Sequence, residues 1–328
     1  MGNPPFKLPV NDLRISVTSK CNLECIYCHR EGKNSQQTAK QAMTVEEIGL
    51  LVDIAGNFGV RAVKITGGEP LVREDILEIT RIVAAKPHIE DLSIVTNGIL
   101  LQRYARGLKD SGVDRINVSL DTLDPEVYTF LSKGILKPVL DGIAFAASLG
   151  FNLIKLNLLV LKGINEDSVQ RITEYIRSLV STSPTPIHLQ LIELVRTNSV
   201  DGKFFDKHFV DLRQNYREWL LKRSVSSYFR KKNRRECFVM PEGFVVELVT
   251  PTHNTDFCEH CSRIRITADG FLKPCLMRED NLVDIIGPVR NGASRRELEA
   301  IFQKAISLKA PYWLEHLDED AHGQQGCR

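Results

Sequence analysis

Between residues 14 and 193 the chain repeats one pattern: a short run in which apolar and polar residues alternate, then a stretch with apolar positions three and four apart. Six of the alternating runs read as strands: Arg14 to Thr18, Ala62 to Thr66, Leu92 to Thr96, Arg115 to Leu120, Leu153 to Val160 and Ile187 to Glu193. The clearest helix begins at Thr44, a capping residue with Glu47 three positions on. It continues through Val45, Ile48, Leu51, Val52, Ala55 and Phe58 and stops at Gly59. Further helices fit 75–85, 101–110, 124–132, 138–149 and 166–180. Six β-α repeats predict a parallel sheet with right-handed crossovers, either open and doubly wound or rolled into a barrel.

Strand parity helps to choose between the two. One parity carries Arg14, Ser16 and Thr18; Lys64 and Thr66; Asn117, Ser119 and Asp121; Lys155 and Asn157; His188 and Gln190. The other is mainly Ile, Val and Leu. A sheet covered by helices on both faces reads as continuous apolar runs, so a polar parity favours a curved sheet whose concave side holds a polar ligand. With Arg14, Lys64 and Lys155 on that side, the ligand is expected to be anionic. An ordinary solvent-exposed face is the plainer alternative.

The chain has 328 residues, 43% of them hydrophobic, which suits a large α/β domain with an appendix. A formal net charge of +2 singles out no class of partner. No run approaches the length of apolar residues that a membrane span needs, and the start, Met-Gly-Asn-Pro-Pro-Phe-Lys, lacks an apolar signal core. A soluble cytoplasmic protein is expected, with no membrane contact. Residues 200–236 look like a linking region with a basic run from Lys222 to Arg235. No aromatic stacking pattern accompanies the charge, so a solvated helix face fits better than a nucleic-acid patch, and no nucleic-acid partner is expected.

Cysteine adds the chemistry. Six of eight cysteines fall in two groups: Cys21, Cys25 and Cys28 directly after the first strand, and Cys258, Cys261 and Cys275 near the other end. In a reducing compartment such groups are metal ligands more often than disulfides. Cys237 and Cys327 stand apart, one read as a small buried residue and the other as a tail thiol. Three thiolates spaced C-x3-C-x2-C can hold three irons of a [4Fe–4S] cube and leave the fourth iron open. A structural zinc site with His29 as fourth ligand is the alternative. In the second group a hairpin turning at Asp269-Gly270 returns Cys275 beside Cys258 and Cys261, with zinc completed by His260 or His253 as the alternative. Arg263 and Arg265, two apart on the outgoing strand, share one face beside these cysteines and suit phosphate recognition.

The first cysteine loop resembles the signature of the radical S-adenosylmethionine (SAM) superfamily, and Thr66-Gly67-Gly68-Glu69-Pro70 resembles that superfamily's SAM-amine motif. Both ends together resemble the GTP 3′,8-cyclase family of molybdenum-cofactor synthesis. The likeness runs through Asp12-Leu-Arg-Ile-Ser-Val-Thr18, Thr96-Asn97-Gly98, Arg115-Ile-Asn-Val-Ser-Leu-Asp121, Lys162-Gly-Ile-Asn165 and the C-terminal triplet. Cys28-His-Arg-Glu-Gly32, Leu189-Gln-Leu-Ile-Glu193 and Pro311-Tyr-Trp313 look like the archaeal branch.

The resemblance implies an α/β fold, a partial (β/α)6 barrel over residues 1–235, and a C-terminal extension over 236–328 carrying a second cluster. It implies two [4Fe–4S] clusters, on Cys21, Cys25 and Cys28 and on Cys258, Cys261 and Cys275. It also implies SAM beside Tyr27, Gly68, Glu69 and Ser119, and GTP held by Arg14, Lys64, Lys155, Arg263 and Arg265. A 5′-deoxyadenosyl radical would take the ribose 3′ hydrogen, and the ribose carbon would then attack C8 of guanine. A reductant such as ferredoxin or flavodoxin, a cyclic pyranopterin monophosphate synthase that takes the product, and a homodimer complete the expected partners. Three departures stand out: Val95 where the family has threonine, Gln190 where bacterial members have arginine, and Gly326-Cys327-Arg328 in place of Gly-Gly. Another radical SAM enzyme, acting on a peptide or a different nucleotide, is the second reading. It fits less well, because peptide modifiers carry longer and more cysteine-rich C-terminal regions. A non-catalytic zinc protein is the third.

Overall fold

The fold is that of a computed structural model, which describes residues 10–28, 41–197 and 200–313. His29 and Cys327 lie outside the described residues, as does the Gly326–Arg328 end. The six alternating runs are strands β1 (Asp12–Ser16), β2 (Ala62–Thr66), β3 (Asp91–Thr96), β4 (Arg115–Ser119), β5 (Leu153–Leu159) and β6 (Ile187–Ile192). They are parallel and adjacent in chain order. Helices α1 (Val45–Gly56), α2 (Ile76–Ala84), α3 (Leu101–Asp110), α4 (Pro125–Ser132), α5 (Lys137–Ala147) and α6 (Ser168–Val180) connect them.

Local chemistry sets the ends of these elements. Thr44 and Glu47 form a reciprocal capping box: the Glu47 N–H donates to Thr44 Oγ1 at 3.2 Å and the Thr44 N–H donates to Glu47 Oε2 at 2.8 Å. The helix ends at Gly56 with Asn57 as its C-cap, and Gly59, at φ +92°, lets the chain turn toward β2. β1 starts two residues before Arg14, and Val17 and Thr18 have already left the sheet for the cysteine loop.

The apolar parity forms the core. Leu13, Ile15, Val63, Ile65, Ile94, Ile116, Ile154, Leu156 and Leu189 are buried beneath the helices. Each contributes about 1.5–3 kcal/mol by leaving water, and truncating one to alanine costs about 2–5 kcal/mol.

Beyond residue 200 lie helices α7 (Gly202–His208) and α8 (Leu212–Leu221), a hairpin of β7 (Ser226–Phe229) and β8 (Glu236–Val239), then β9 (Val245–Val249) and α9 (Thr255–Glu259). Next come β10 (Arg263–Ile266), β11 (Phe271–Lys273), β12 (Val283–Asp284), α10 (Ile286–Arg290) and α11 (Arg295–Ser307). The turn between β10 and β11 holds Gly270 at φ +81°, as the Asp-Gly reading predicts. These strands extend the sheet at both ends, in the order β12-β11-β10-β1-β2-β3-β4-β5-β6-β9-β8-β7. β9 lies parallel to β6 and β10 parallel to β1. The division read after residue 235 falls at the start of β8, whose partner β7 lies on the other side of it.

The sheet is strongly curved. β9 is six strands from β1, a span of about 29 Å in a flat sheet. Yet Lys232, in the β7–β8 connection beyond β9, forms an ion pair with Asp12 of β1. The sheet therefore rolls into an incomplete barrel, and the basic connection reaches across its open side. This corrects the reading of Lys222 to Arg235 as a solvated helix face. Lys222 caps α8 and pairs with Glu218 at the surface, but Arg230, Lys232 and Arg235 turn inward.

Candidate active site

Strand register builds the lumen in layers. Arg265, Arg14 and Lys64 are cross-strand neighbours on β10, β1 and β2. Asn117 and Lys155 face one another on β4 and β5, and Asn157, Gln190 and Glu247 follow on β5, β6 and β9. Because strand side chains alternate between faces, the polar parity is carried inward, around a cavity of about 380 Å³. That volume lies in the range of small-molecule sites. Arg14, Lys64, Lys155, Arg263 and Arg265 all line it, joined by Arg115, Arg230, Lys232, Arg235 and Lys309. Only Asp12, Asp121 and Glu193 among the lining residues are acidic.

Two buried carboxylates organise the cations. Asp12 accepts from Arg263 Nε at 2.5 Å and pairs with Lys232. Burial opposes its charge, but Arg263 and Lys232 hold its carboxyl well below the usual carboxylate range. Glu247 accepts from Lys155 Nζ at 2.7 Å, Arg230 Nη1 at 2.7 Å and Arg235 Nη1 at 3.2 Å, and also from the Gln190 amide. Burial again works against ionisation, and Arg235, Lys155 and Arg230 override it. The cations are crowded in turn. Burial, then Arg115 and Arg14, depress Lys64 well below an ordinary lysine, and burial with Arg263 brings Lys232 to about 7 despite Asp12. Asn157 Oδ1 and Arg235 Nε are buried without a partner among the described residues. A bound anion would offset the crowded cations and give Arg235 Nε an acceptor.

The first cysteine group sits on a loop clamped to the Gly-Gly motif. The Gly68 N–H donates to Thr18 O at 2.7 Å and the Glu69 N–H to Lys20 O at 2.8 Å. A Cβ on Gly68 would lie 2.2 Å from Lys20 O, so glycine is required here by the approach of one protein loop to another. Glu69 is buried and accepts from Thr96 Oγ1 at 2.7 Å and from the N–H groups of Asn97 at 2.6 Å and Leu71 at 3.0 Å. It braces the motif against the end of β3. Tyr27 donates to the Asp121 carboxylate, and Tyr27, Ser119 and Asp121 line the cavity. Burial raises Cys21, and burial with Asp121 pushes Cys25 up to about 12. Incoming iron would have to displace those protons.

Cys258, Cys261 and Cys275 all line the cavity. Burial raises the Cys258 thiol, while the N–H groups of Trp313 and Tyr312 donate to it. Burial would raise Cys261 as well, but Lys309, Arg263 and Arg265 bring it down to about 6. Among the described residues no three His, Cys, Asp or Glu side chains converge as a site for one metal ion. His260 Nδ1 lies 2.9 Å from Asp256 O, and the His253 ring packs on Trp313 at 4.1 Å. Neither is posed as a fourth zinc ligand. Two sets of three thiols, each beside a polar cavity, fit iron–sulfur cubes, which contribute their own bridging sulfides.

Reasoning from sequence missed Asp12, Arg115, Arg230, Lys232, Arg235, Glu247, Lys309 and Trp313 as site residues. Glu247 did carry a signal, as the one acid in the apolar run Val245–Val249. Lys309 and Trp313 carried none, because the chain beyond α11 places them. Of the departures, Val95 and Gln190 line the lumen. Cys237 is buried in β8, opposite Glu247 and apart from both cysteine groups.

A parallel β/α partial barrel with C-x3-C-x2-C after its first strand and Gly-Gly-Glu-Pro after its second defines a radical SAM enzyme. The model of the Radical SAM superfamily matches residues 15–176, and that of Molybdenum Cofactor Synthesis C matches residues 187–315. The chain belongs to the GTP 3′,8-cyclase family. It is 43% identical over 312 residues to a probable GTP 3′,8-cyclase of Pyrococcus horikoshii, covering 94% of this chain and 97% of that one. It is 40% identical over 309 residues to a probable GTP 3′,8-cyclase of Methanocaldococcus jannaschii, covering 94% and 98%. Among solved structures, SuiB of Streptococcus suis bound to precursor peptide SuiA superposes with a TM-score of 0.60 at 17% identity, over 82% of this chain and 60% of that one. That likeness supports the fold alone. The family uses a [4Fe–4S] cluster with SAM, and its cyclases carry a second cluster.

Proposed function

We propose that this chain converts GTP to (8S)-3′,8-cyclo-7,8-dihydroguanosine 5′-triphosphate in molybdenum cofactor (molybdopterin) biosynthesis. The observation that carries this reading is a cation-lined lumen whose wall includes Cys258, Cys261 and Cys275 and, from the first cysteine loop, Tyr27. Cys21, Cys25 and Cys28 would hold the first [4Fe–4S] cluster, and Cys258, Cys261 and Cys275 the second. When bound, the first cluster and SAM supply a hydrogen-abstracting radical. Tyr27, Gly68 and Ser119 would shape the SAM site, and Glu69 would hold the motif loop in place. Arg14, Lys64, Lys155, Arg263 and Arg265 would fix the triphosphate, so that ribose C3′ faces the first group and the base faces the second. Within GTP, C3′ would lose a hydrogen atom and bond to C8 of guanine as the C8=N7 double bond opens; N7 would then take up one electron, from the reductant, and a proton, so that the product is an isomer of GTP.

Among the described residues no helix is long and apolar enough to cross a membrane. We place the reaction in the cytoplasm, whose reducing conditions suit clustered thiols. A low-potential donor such as ferredoxin or flavodoxin would supply electrons, and a cyclic pyranopterin monophosphate synthase would take the product. We propose a homodimer, supported by the exposed Val225, Tyr228 and Phe229 at the edge strand β7. Light scattering would test it.

The test of function is an anaerobic assay of reconstituted protein with GTP, SAM and reductant, read by mass spectrometry. The expected result is 5′-deoxyadenosine coupled to a cyclised GTP isomer. Formation of 5′-deoxyadenosine with GTP unchanged would overturn the substrate.

A further inference from the structure

The chain between β7 and β8 crosses the open side of the barrel and is fastened there by uncharged contacts. The Asn233 N–H donates to His260 O at 2.9 Å, Asn233 Nδ2 donates to Phe257 O at 3.0 Å, and the Arg230 N–H donates to Arg235 O at 2.9 Å. The Lys232–Asp12 ion pair adds to these contacts, and three of the segment's cations face the lumen. Around Glu247, Lys155, Arg230 and Arg235 share a single carboxylate, and Arg235 Nε finds no acceptor among the described residues. Buried positive charge in excess of its counter-charge is costly unless a ligand completes it. Guanidinium forks match phosphate oxygens two at a time.

We propose that Arg230, Lys232 and Arg235 form an oligophosphate clamp that closes the open side of the barrel over the anionic end of the substrate. The clamp rests on the GTP reading only for the identity of the nucleotide. Its chemistry suits a chain of phosphates, met by cations anchored on Glu247 at one side and on Asp12 at the other. These two carboxylates act as positioning groups that keep the cations extended before the ligand arrives.

The test is anaerobic calorimetry on cluster-loaded protein with inorganic tripolyphosphate, GTP and guanosine. Arg230→Gln and Arg235→Gln are each expected to weaken tripolyphosphate and GTP about tenfold or more and to leave guanosine unchanged. Lys222→Gln, in the same basic run but at the surface, is expected to match the wild type. Should Arg235→Gln fail to fold, Arg230→Gln decides alone, since its side chain is one-third exposed. Binding of tripolyphosphate by Arg230→Gln within about twofold of the wild type, at an unchanged melting temperature, overturns the clamp. A wild type that binds tripolyphosphate in an Arg230-dependent way but does not cyclise GTP upholds the clamp and refutes the cyclase reading.

Discussion

The two cysteine groups present the same three thiols in opposite fields. The first lies on a loop shaped by backbone contacts to Gly67 and Gly68, and among the described residues the carboxylates that act on it are Glu69, on Cys21, and Asp121, on Cys25. Burial and those carboxylates disfavour thiolate there, so Cys25 stands at about 12. The second lies among Lys309, Arg263 and Arg265, and Cys261 falls to about 6 although it is buried. A thiol set that lacks nearby cations depends on its metal to stay ionised. A thiol set among cations shares its field with any anion in the lumen, so ligand binding and the second group are electrostatically coupled. Net charge and hydrogen bonds to sulfur are among the levers that set cluster potentials, so the two sites are built for different tasks.

The sharpest break between the groups is removal of one thiol from each. Cys25→Ala is expected to abolish SAM cleavage outright. Cys261→Ala is expected to stop cyclisation while leaving some uncoupled 5′-deoxyadenosine, quantified by chromatography. If Cys261→Ala cyclised GTP at the wild-type rate, the division of labour would be lost.

Next in size is Gly68→Ala. The new methyl would meet Lys20 O at 2.2 Å, a backbone atom that cannot rotate away. Separating the two loops should cost about 1–3 kcal/mol of stability and lower SAM-dependent turnover by about a hundredfold. Gly202→Ala, with no positive φ and nothing within 4 Å of its Cβ position, is the control for the substitution without the clash.

These tests bear on what the sequence could disclose. Strands β1 to β6 were legible because five of the six carry a polar parity, broken in β3 by Val95, and that parity announced the lumen through Arg14, Lys64 and Lys155. Of the C-terminal strands, β10 and β11 were legible through the Asp269-Gly270 turn, but β7, β8, β9 and β12 were not: β7 is exposed throughout and β12 has two residues, too few to show a period of two. Arg230, Lys232 and Arg235 read as surface charge, since a run of five basic residues around one asparagine matches a solvated segment. Only pairing of β8 with β9, itself set by tertiary contacts with β6, swings that run over the barrel. The roles of Asp12 and Glu247 were hidden for the same reason: each is defined by cations from distant segments.

A smaller effect probes the first group's carboxylates. Burial pushes Glu69 up to about 7 from an ordinary 4.5, against the hydrogen bonds from Asn97, Thr96 and Leu71. A raised acid favours the protonated form in the folded state, so its contribution is full below about pH 4.5 and is lost as pH rises through 7. Glu69→Gln stays neutral. Its melting temperature should therefore fall less than the wild type's between pH 5 and pH 8, by an amount worth on the order of 2 kcal/mol. Parallel pH slopes would show that Glu69 ionises no differently in the folded and unfolded chain.

The finest distinction is between two aromatic donors, one beside each group. The Tyr27 hydroxyl already donates to Asp121, so Tyr27→Phe should cost stability and spare GTP binding. Trp313 differs: its ring packs on His253 at 4.1 Å, its backbone N–H serves Cys258, and its Nε1–H is buried with no acceptor among the described residues. Trp313→Phe keeps the backbone and an aromatic ring, and removes that donor together with part of the ring area. If Nε1–H meets an acceptor on the bound nucleotide, KM for GTP rises about three- to tenfold, the loss of one hydrogen bond of about 0.5–1.5 kcal/mol, with no loss of stability in the ligand-free protein. Were the donor unmet in the loaded enzyme too, its removal would leave KM unchanged and raise stability by about 1 kcal/mol. The electropositive, ligand-facing character of the second region leads us to expect the former, and an unchanged KM would confine Trp313 to covering the second cysteine group.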